Sequence, residues 1–245
     1  MDPDIVRAFY ENDDVVLHYA AAVNRVGLWK SEELLLSRLF YPGDKLLEIG
    51  CGAGRIAFGL RKIGYRHVTA IDYSREMIGV AKAIAEDKSL EMDFRVGDAT
   101  KLTFQDEQFD GVIFGFNGLM QIPGRQRRQQ ALGEIYRVMK PDTYFFFTTH
   151  DRDNPKQRKH WKKDRRLWDS GIQRDEYEDF GDRIGGTEWG EMYIHIPQKD
   201  EMSQAVADAG FRLLSCSPRS LIARESRATR EFSDECLMWV VKKPA

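Results

Sequence analysis

The sequence predicts an α/β domain built on a mostly parallel sheet with helices on both faces. Short apolar runs, KLLEIG, HVTAID, MDFRVG, FDGVIFGF and TYFFFTTH, alternate with helical segments between Lys45 and His150. Such β-α-β-α alternation implies parallel strands joined by right-handed crossovers. The fourth run is almost wholly apolar, as a central strand buried on both faces must be. The length, 245 residues, allows one sizeable core.

Each element has its own local reason. Residues 1–40 read as a helical cap, with Ser31 as the expected N-cap of SEELLLSRLF and Glu32 and Glu33 in its first turn, where carboxylates suit the helix dipole. Pro42-Gly43-Asp44 breaks the chain before the first strand. The next helix, AFGLRKIGY, closes on Gly64, and Ser74 is the expected cap of the helix holding Met77, Ile78, Val80 and Ala81. Arg125 to Met139 form an amphipathic helix that stops at Lys140-Pro141, ahead of an aromatic and β-branched fifth strand. Residues 151–197 interrupt the rhythm with the basic KQRKHWKKDRR, the acidic RDEYEDFGD, and GTEWGEMYIHIP, a strand or hairpin. KDEMSQAVADAG then reads as a helix, and FRLLSCS and ECLMWVVKK complete seven strands. The expected organisation is one domain over 1–245: cap 1–40, core 41–150, an insertion after the fifth strand (151–197) acting as a substrate lid, and the rest of the core in 198–245.

Composition narrows the function classes. A net charge of −2 and a pI near 6.2 give no global attraction to nucleic acid or anionic membrane. No apolar run approaches the roughly 20 residues of a membrane span, and the acidic opening MDPDIVRAFYENDD lacks a secretory leader pattern. Cys51, Cys216 and Cys236 are scattered and odd in number, against a disulfide framework or zinc site. A reducing, cytoplasmic location and no metal are therefore expected.

The stretch LLEIGCGAGR puts glycines at a strand-to-helix turn, where the backbone turns tightly and a ligand approaches unhindered. A dinucleotide fingerprint needs a third glycine where Arg55 stands, and no GK[ST] follows for a P-loop. Glu48-x-Gly50-x-Gly52-x-Gly54 instead resembles motif I of the class I S-adenosylmethionine-dependent methyltransferases, and further motifs follow in order over about residues 40–150. Asp72 resembles the acid that accepts from both ribose hydroxyls. Asp98, in VGDATKL, resembles the acid that meets the adenine amino group, beside the Ala99 backbone. FDGVIFGFNGLMQIP and EIYRVMKPDTYFFFTT resemble the fourth- and fifth-strand segments.

This resemblance implies a Rossmann-like, doubly wound, mostly parallel seven-stranded sheet, with S-adenosylmethionine as cofactor and S-adenosylhomocysteine as product. The implied cofactor-binding residues are Glu48, Gly50, Cys51, Gly52, Gly54, Asp72, Tyr73, Met77, Asp98, Ala99 and Gly115, with Tyr19 and Arg25 of the cap covering them. Each has a plainer reading: Asp72 as a helix cap, Asp98 as a turn aspartate, Cys51 as loop filler, and the cap residues as helix packing. Asn117 departs from the Asp/Asn-Pro-Pro-aromatic pattern of amino-directed nucleobase methyltransferases. His150, His195 and Tyr193 are the candidate catalytic residues, and a base is needed only for a protonated acceptor.

The expected activity is methyl transfer to an oxygen or nitrogen of a small molecule. Alternatives are an RNA or protein acceptor docked on basic segment 156–166, a cofactor-binding partner protein without catalysis, and, more remotely, aminopropyl transfer.

Overall fold

The structure, a computed structural model, describes residues 4–245; the side chains of Lys156 and Arg158, in the basic segment, lie outside the described residues. Three helices open the chain: α1 (Asp4–Tyr10), α2 (Asp13–Arg25) and α3 (Lys30–Leu39). The core follows as β1 (Lys45–Ile49), α4 (Arg55–Lys62), β2 (His67–Asp72), α5 (Arg75–Asp87), β3 (Asp93–Val96), β4 (Phe109–Phe114), α6 (Arg125–Val138) and β5 (Met139–Thr149). The insertion contributes α7 (Arg158–Asp169) and a hairpin of β6 (Asp182–Thr187) and β7 (Gly190–His195). Then come α8 (Lys199–Asp208), β8 (Arg212–Pro218), the short helices α9 (Arg219–Ile222) and α10 (Arg227–Phe232), and β9 (Leu237–Lys242).

The main sheet has seven strands in the order β3-β2-β1-β4-β5-β9-β8. β1 through β5 run parallel, and β9 lies antiparallel between β5 and β8. This is the Rossmann-like doubly wound sheet. The connection order reverses between β1 and β4, so their carboxyl ends splay apart and leave a crevice.

Side-chain alternation builds two cores, one on each face. Phe146 packs with Trp29, Leu36 and Phe40 from the N-terminal helices. Phe145 and Phe147 point the other way, toward Leu132, Ile135 and Val206 of α6 and α8, and Phe147 stacks on Trp239 with centroids 5.6 Å apart. Among the described residues no helix is long and apolar enough to cross a membrane.

Three local expectations change. Ser31 is not the cap of α3: Glu32 reaches back to accept the Trp29 N–H at 2.9 Å, while Glu225 takes the Ser31 N–H at 3.0 Å and its hydroxyl. A glutamate in the first turn competes for the same orphan donors as a cap residue. Lys140-Pro141 is not a gap between helix and strand, because β5 begins at Met139 opposite Phe109 and resumes with Gly111 opposite Tyr144, leaving the proline in a bulge. Helices α9 and α10 were not expected, although Ser226 caps α10 by accepting from Thr229 N–H at 3.1 Å. Ser74, by contrast, caps α5 as expected, accepting from Met77 N–H at 3.1 Å.

Candidate functional site

The crevice at the carboxyl ends of β1–β4 is a cleft of about 1070 Å³, solvent at its mouth included. It is lined by the glycine turn, Asp72, Tyr73 and Met77, Asp98 and Ala99, Phe114, Gly115, Phe116 and Gly118 at the β4 end, and the cap residues Val6, Tyr10 and Tyr19. Gly50 stands at φ +64°, and a Cβ there would lie 2.6 Å from the Phe114 ring. At Gly52, φ is +54° and a Cβ would face Tyr19 and Met77 at 3.9 and 4.0 Å, so a side chain would fill the space over the turn.

The acids are held by backbone and keep acceptor capacity. Asp72 accepts from Gly52 N–H at 2.7 Å with one oxygen and from Ser74 N–H at 2.9 Å with the other. Burial raises its pKa, and these N–H groups oppose that shift. It therefore both braces the glycine turn and faces the cleft. Asp98 uses Oδ1 to accept from Thr100 N–H and Oγ1–H, both at 2.8 Å.

Glu48 is 2% exposed, and its Oε2 is buried without a partner. Burial drives its pKa to about 8, against the pull of Arg55. A raised carboxyl stabilises the fold fully below its unfolded value, and that contribution is lost as pH rises through the folded value. Stability should thus fall between about pH 4.5 and 8, and Glu48→Gln should flatten that slope. Urea unfolding of both proteins across this range checks it, and parallel slopes would refute it.

Arg55, which breaks the dinucleotide spacing, ties the turn to the cap. It donates from Nη1 and Nη2 to the two Glu32 oxygens at 2.7 Å each and from Nη1 to Gly27 C=O at 2.8 Å. Its guanidinium also lies over Trp29, 4.6 Å from the ring centre.

The far end of the cleft is aromatic. Tyr19 contacts Tyr10, Phe116 and Phe232 edge-on with centroids 5.8, 5.8 and 6.0 Å apart. Burial raises both tyrosines, Tyr19 to about 12, so they remain protonated at neutral pH. Gln121 donates to Tyr10 Oη. Phe116 and Asn117 both have positive φ, 50° and 61°, uncommon for a bulky residue such as phenylalanine. A bond from Asn117 N–H to Thr148 Oγ1 at 2.8 Å holds this turn, which brings Phe116 into the cleft wall.

The structure brings eleven expected cofactor residues, Tyr19, Glu48, Gly50, Cys51, Gly52, Asp72, Tyr73, Met77, Asp98, Ala99 and Gly115, to one cleft. Gly54 is not among the lining residues; it stands at φ +92°, where a Cβ would lie 2.8 Å from the Phe94 ring. Arg25 is not brought there; it is exposed at the end of α2.

None of the three candidate catalytic residues lines the cleft. His150 turns its Nε2 to Asn117 Nδ2 at 3.2 Å, and burial lowers its pKa. His195 is clasped between Asp182 (2.8 Å) and Glu201 (2.6 Å). Tyr193 donates to Asp182 at 2.8 Å and accepts from Arg128 at 3.1 Å. Burial would raise Asp182, yet its bonds from His195, the Asp179 backbone and Tyr193 hold it down at about 2. This buried network fastens the hairpin to α6 and α8.

The insertion likewise supplies no lining residue, contrary to its expected role as a lid. It backs the cap instead: Tyr10 Oη donates to Met192 Sδ at 3.9 Å, and His18 lies 4.7 Å from Trp189. Tyr10, Gln121, Arg127 and Phe232 were not anticipated. Val6 and Tyr10 at i, i+4 spacing could have marked a cleft-facing stripe, whereas Phe232 carried no motif. Among the described residues no His/Cys/Asp/Glu cluster could hold a metal ion.

A family model described as a methyltransferase domain matches residues 46–142, the stretch that supplies most of the cleft. The chain is 36% identical to a 2-phytyl-1,4-naphtoquinone methyltransferase of Synechocystis sp. over 46% of this chain and 48% of the relative. A ubiquinone/menaquinone biosynthesis C-methyltransferase of Roseobacter denitrificans is 30% identical over 69% of this chain and 66% of its own length. The first of these alignments spans under half of the curated relative. A solved S-adenosylmethionine-dependent methyltransferase of Methanosarcina mazei shares the fold with a TM-score of 0.69 at 22% identity, over 86% of this chain and 97% of that one. The ordered motifs, the strand order and the matched core agree: the chain belongs to the class I S-adenosylmethionine-dependent methyltransferases.

Proposed function

We propose that the chain transfers a methyl group from S-adenosylmethionine to a small, largely apolar aromatic molecule. One observation carries this reading: the glycine turn, with its acids, and the aromatic end formed by Tyr10, Tyr19, Phe116 and Phe232 share one cleft. The residues fit the cofactor. The unpartnered Oε2 of Glu48 suits an ammonium group, the bare face of Gly52 leaves space for a chain, and Asp72 and Asp98 keep lone pairs for hydroxyl and amino donors.

When bound, the cofactor supplies an electrophilic methyl carbon on a sulfonium. The protein's part is positioning: Asp72 and Asp98 fix one end, while the aromatic wall orients the acceptor and excludes water. Holding reacting atoms in line near contact supplies most of such a rate enhancement. Among the described residues no histidine lines the cleft, and the tyrosines stay protonated, so the favoured acceptor is already nucleophilic at neutral pH. A carboxylate oxygen or an uncharged amine nitrogen meets that condition, whereas a neutral hydroxyl does not. A ring carbon activated by a phenolate that ionises in solution also meets it, and the name of the Roseobacter relative, a C-methyltransferase, adds weight to carbon.

Incubation with catechols, hydroquinones and aromatic amines, followed by mass spectrometry and NMR of the product, identifies acceptor and atom. Turnover is expected to vary little with salt and to survive replacement of Lys159, Lys162 and Lys163 on α7, all exposed outside the cleft. A steep fall with salt, together with lost turnover in that variant, would move the acceptor to a polyanion.

A further inference from the structure

Helix α6 opens against electrostatic preference. Its N-cap, Gly124, has no side chain to cap it, and its first turn holds no acid but Arg125, Arg127 and Arg128, although a helix start favours anions. Two of these arginines have a structural reason, since Arg125 and Arg128 pair with the two oxygens of Asp179 at 2.8 and 3.0 Å. No ion pair holds Arg127 among the described residues. It lines the cleft mouth with Val6, Tyr10 and Tyr73, and its Nε is buried without a partner.

An unpaired buried donor costs stability unless a ligand satisfies it, and a guanidinium presents the fork that matches a carboxylate. Resting on the methyltransferase reading above, we propose that Arg127 grips a carboxylate on the methyl acceptor, making the substrate class aromatic acids. The other anion in that reading is the cofactor's own carboxylate, which would lie with the ammonium that Glu48 would receive at the glycine turn. Arg127 stands elsewhere, beside Tyr73, whose hydroxyl feels its charge.

The test is calorimetry on the full chain with three probes: S-adenosylhomocysteine alone, then 4-hydroxybenzoate and the uncharged 4-hydroxybenzamide on the product-saturated protein. Wild type should bind the acid about 10-fold or more tightly than the amide, the worth of one charge-assisted fork. Arg127→Gln should erase that preference while leaving affinity for S-adenosylhomocysteine and the amide unchanged, and Arg127→Lys should restore part of it. Equal affinity of wild type for acid and amide, or binding of neither, overturns the proposal but leaves the cofactor site standing. Lost S-adenosylhomocysteine affinity in Arg127→Gln also overturns it, assigning the residue to the cofactor. Absence of S-adenosylhomocysteine binding in wild type overturns the methyltransferase reading and this proposal together.

Discussion

Asp72→Ala is expected to weaken S-adenosylmethionine binding by about 100-fold or more. Two charge-assisted bonds from ribose hydroxyls would be worth about 3–6 kcal/mol together, at about 1.5–3 kcal/mol each. The carboxylate also braces the turn through Gly52 N–H at 2.7 Å and starts α5 through Ser74 N–H at 2.9 Å. Removing it therefore loosens the backbone beneath the cofactor as well. Asp72→Asn keeps one acceptor oxygen and the side-chain volume, so its loss should be intermediate. Calorimetric titration, with near-ultraviolet circular dichroism to verify folding, measures both. Undiminished binding by a folded Asp72→Ala protein would remove the residue from the cofactor site.

Glu32→Ala should be the most damaging change to stability, although it touches no ligand. Glu32 is fully buried and Arg55 is 8% exposed, so truncation strands a guanidinium in the core. Breaking a buried pair from one side costs about 3–5 kcal/mol, or about 10 °C in melting temperature for a chain of this size. Replacing both partners with Leu and Met should cost less than the sum of the single changes, because neither charge is then left alone. Thermal melts of the variants beside an exposed control, Glu86→Ala, decide it. A shift no larger than the control's would mean that water reaches Arg55.

The order and type of nearly every core element were legible in the chain because periodicity and capping are local. KLLEI, HVTAID and FDGVIF are apolar over strand lengths, and Ser74 lies one residue before a helical stripe. The expected cofactor residues of the core were legible for a related reason: each sits in the last two residues of a strand or one to five residues beyond it, where parallel topology collects strand ends into one crevice. Errors came where two local signals compete. Ser31 and Glu32 can both satisfy the start of α3, and only the packing of Glu225 against Ser31 and of Arg55 against Glu32 separates them.

What the sequence determined by itself was the sheet, its glycine turn and the acids around it, since these follow from spacing along the chain. Tertiary structure alone decided which distant side chains meet. Phe232 joins Tyr19 and Phe116 from the far end of the chain, the insertion buttresses the cap, and His195 closes an ion network instead of facing the cleft. Such meetings depend on how separate elements pack. A histidine carries the same letter whether it faces a ligand or two carboxylates, so its role becomes readable only when its neighbours are known.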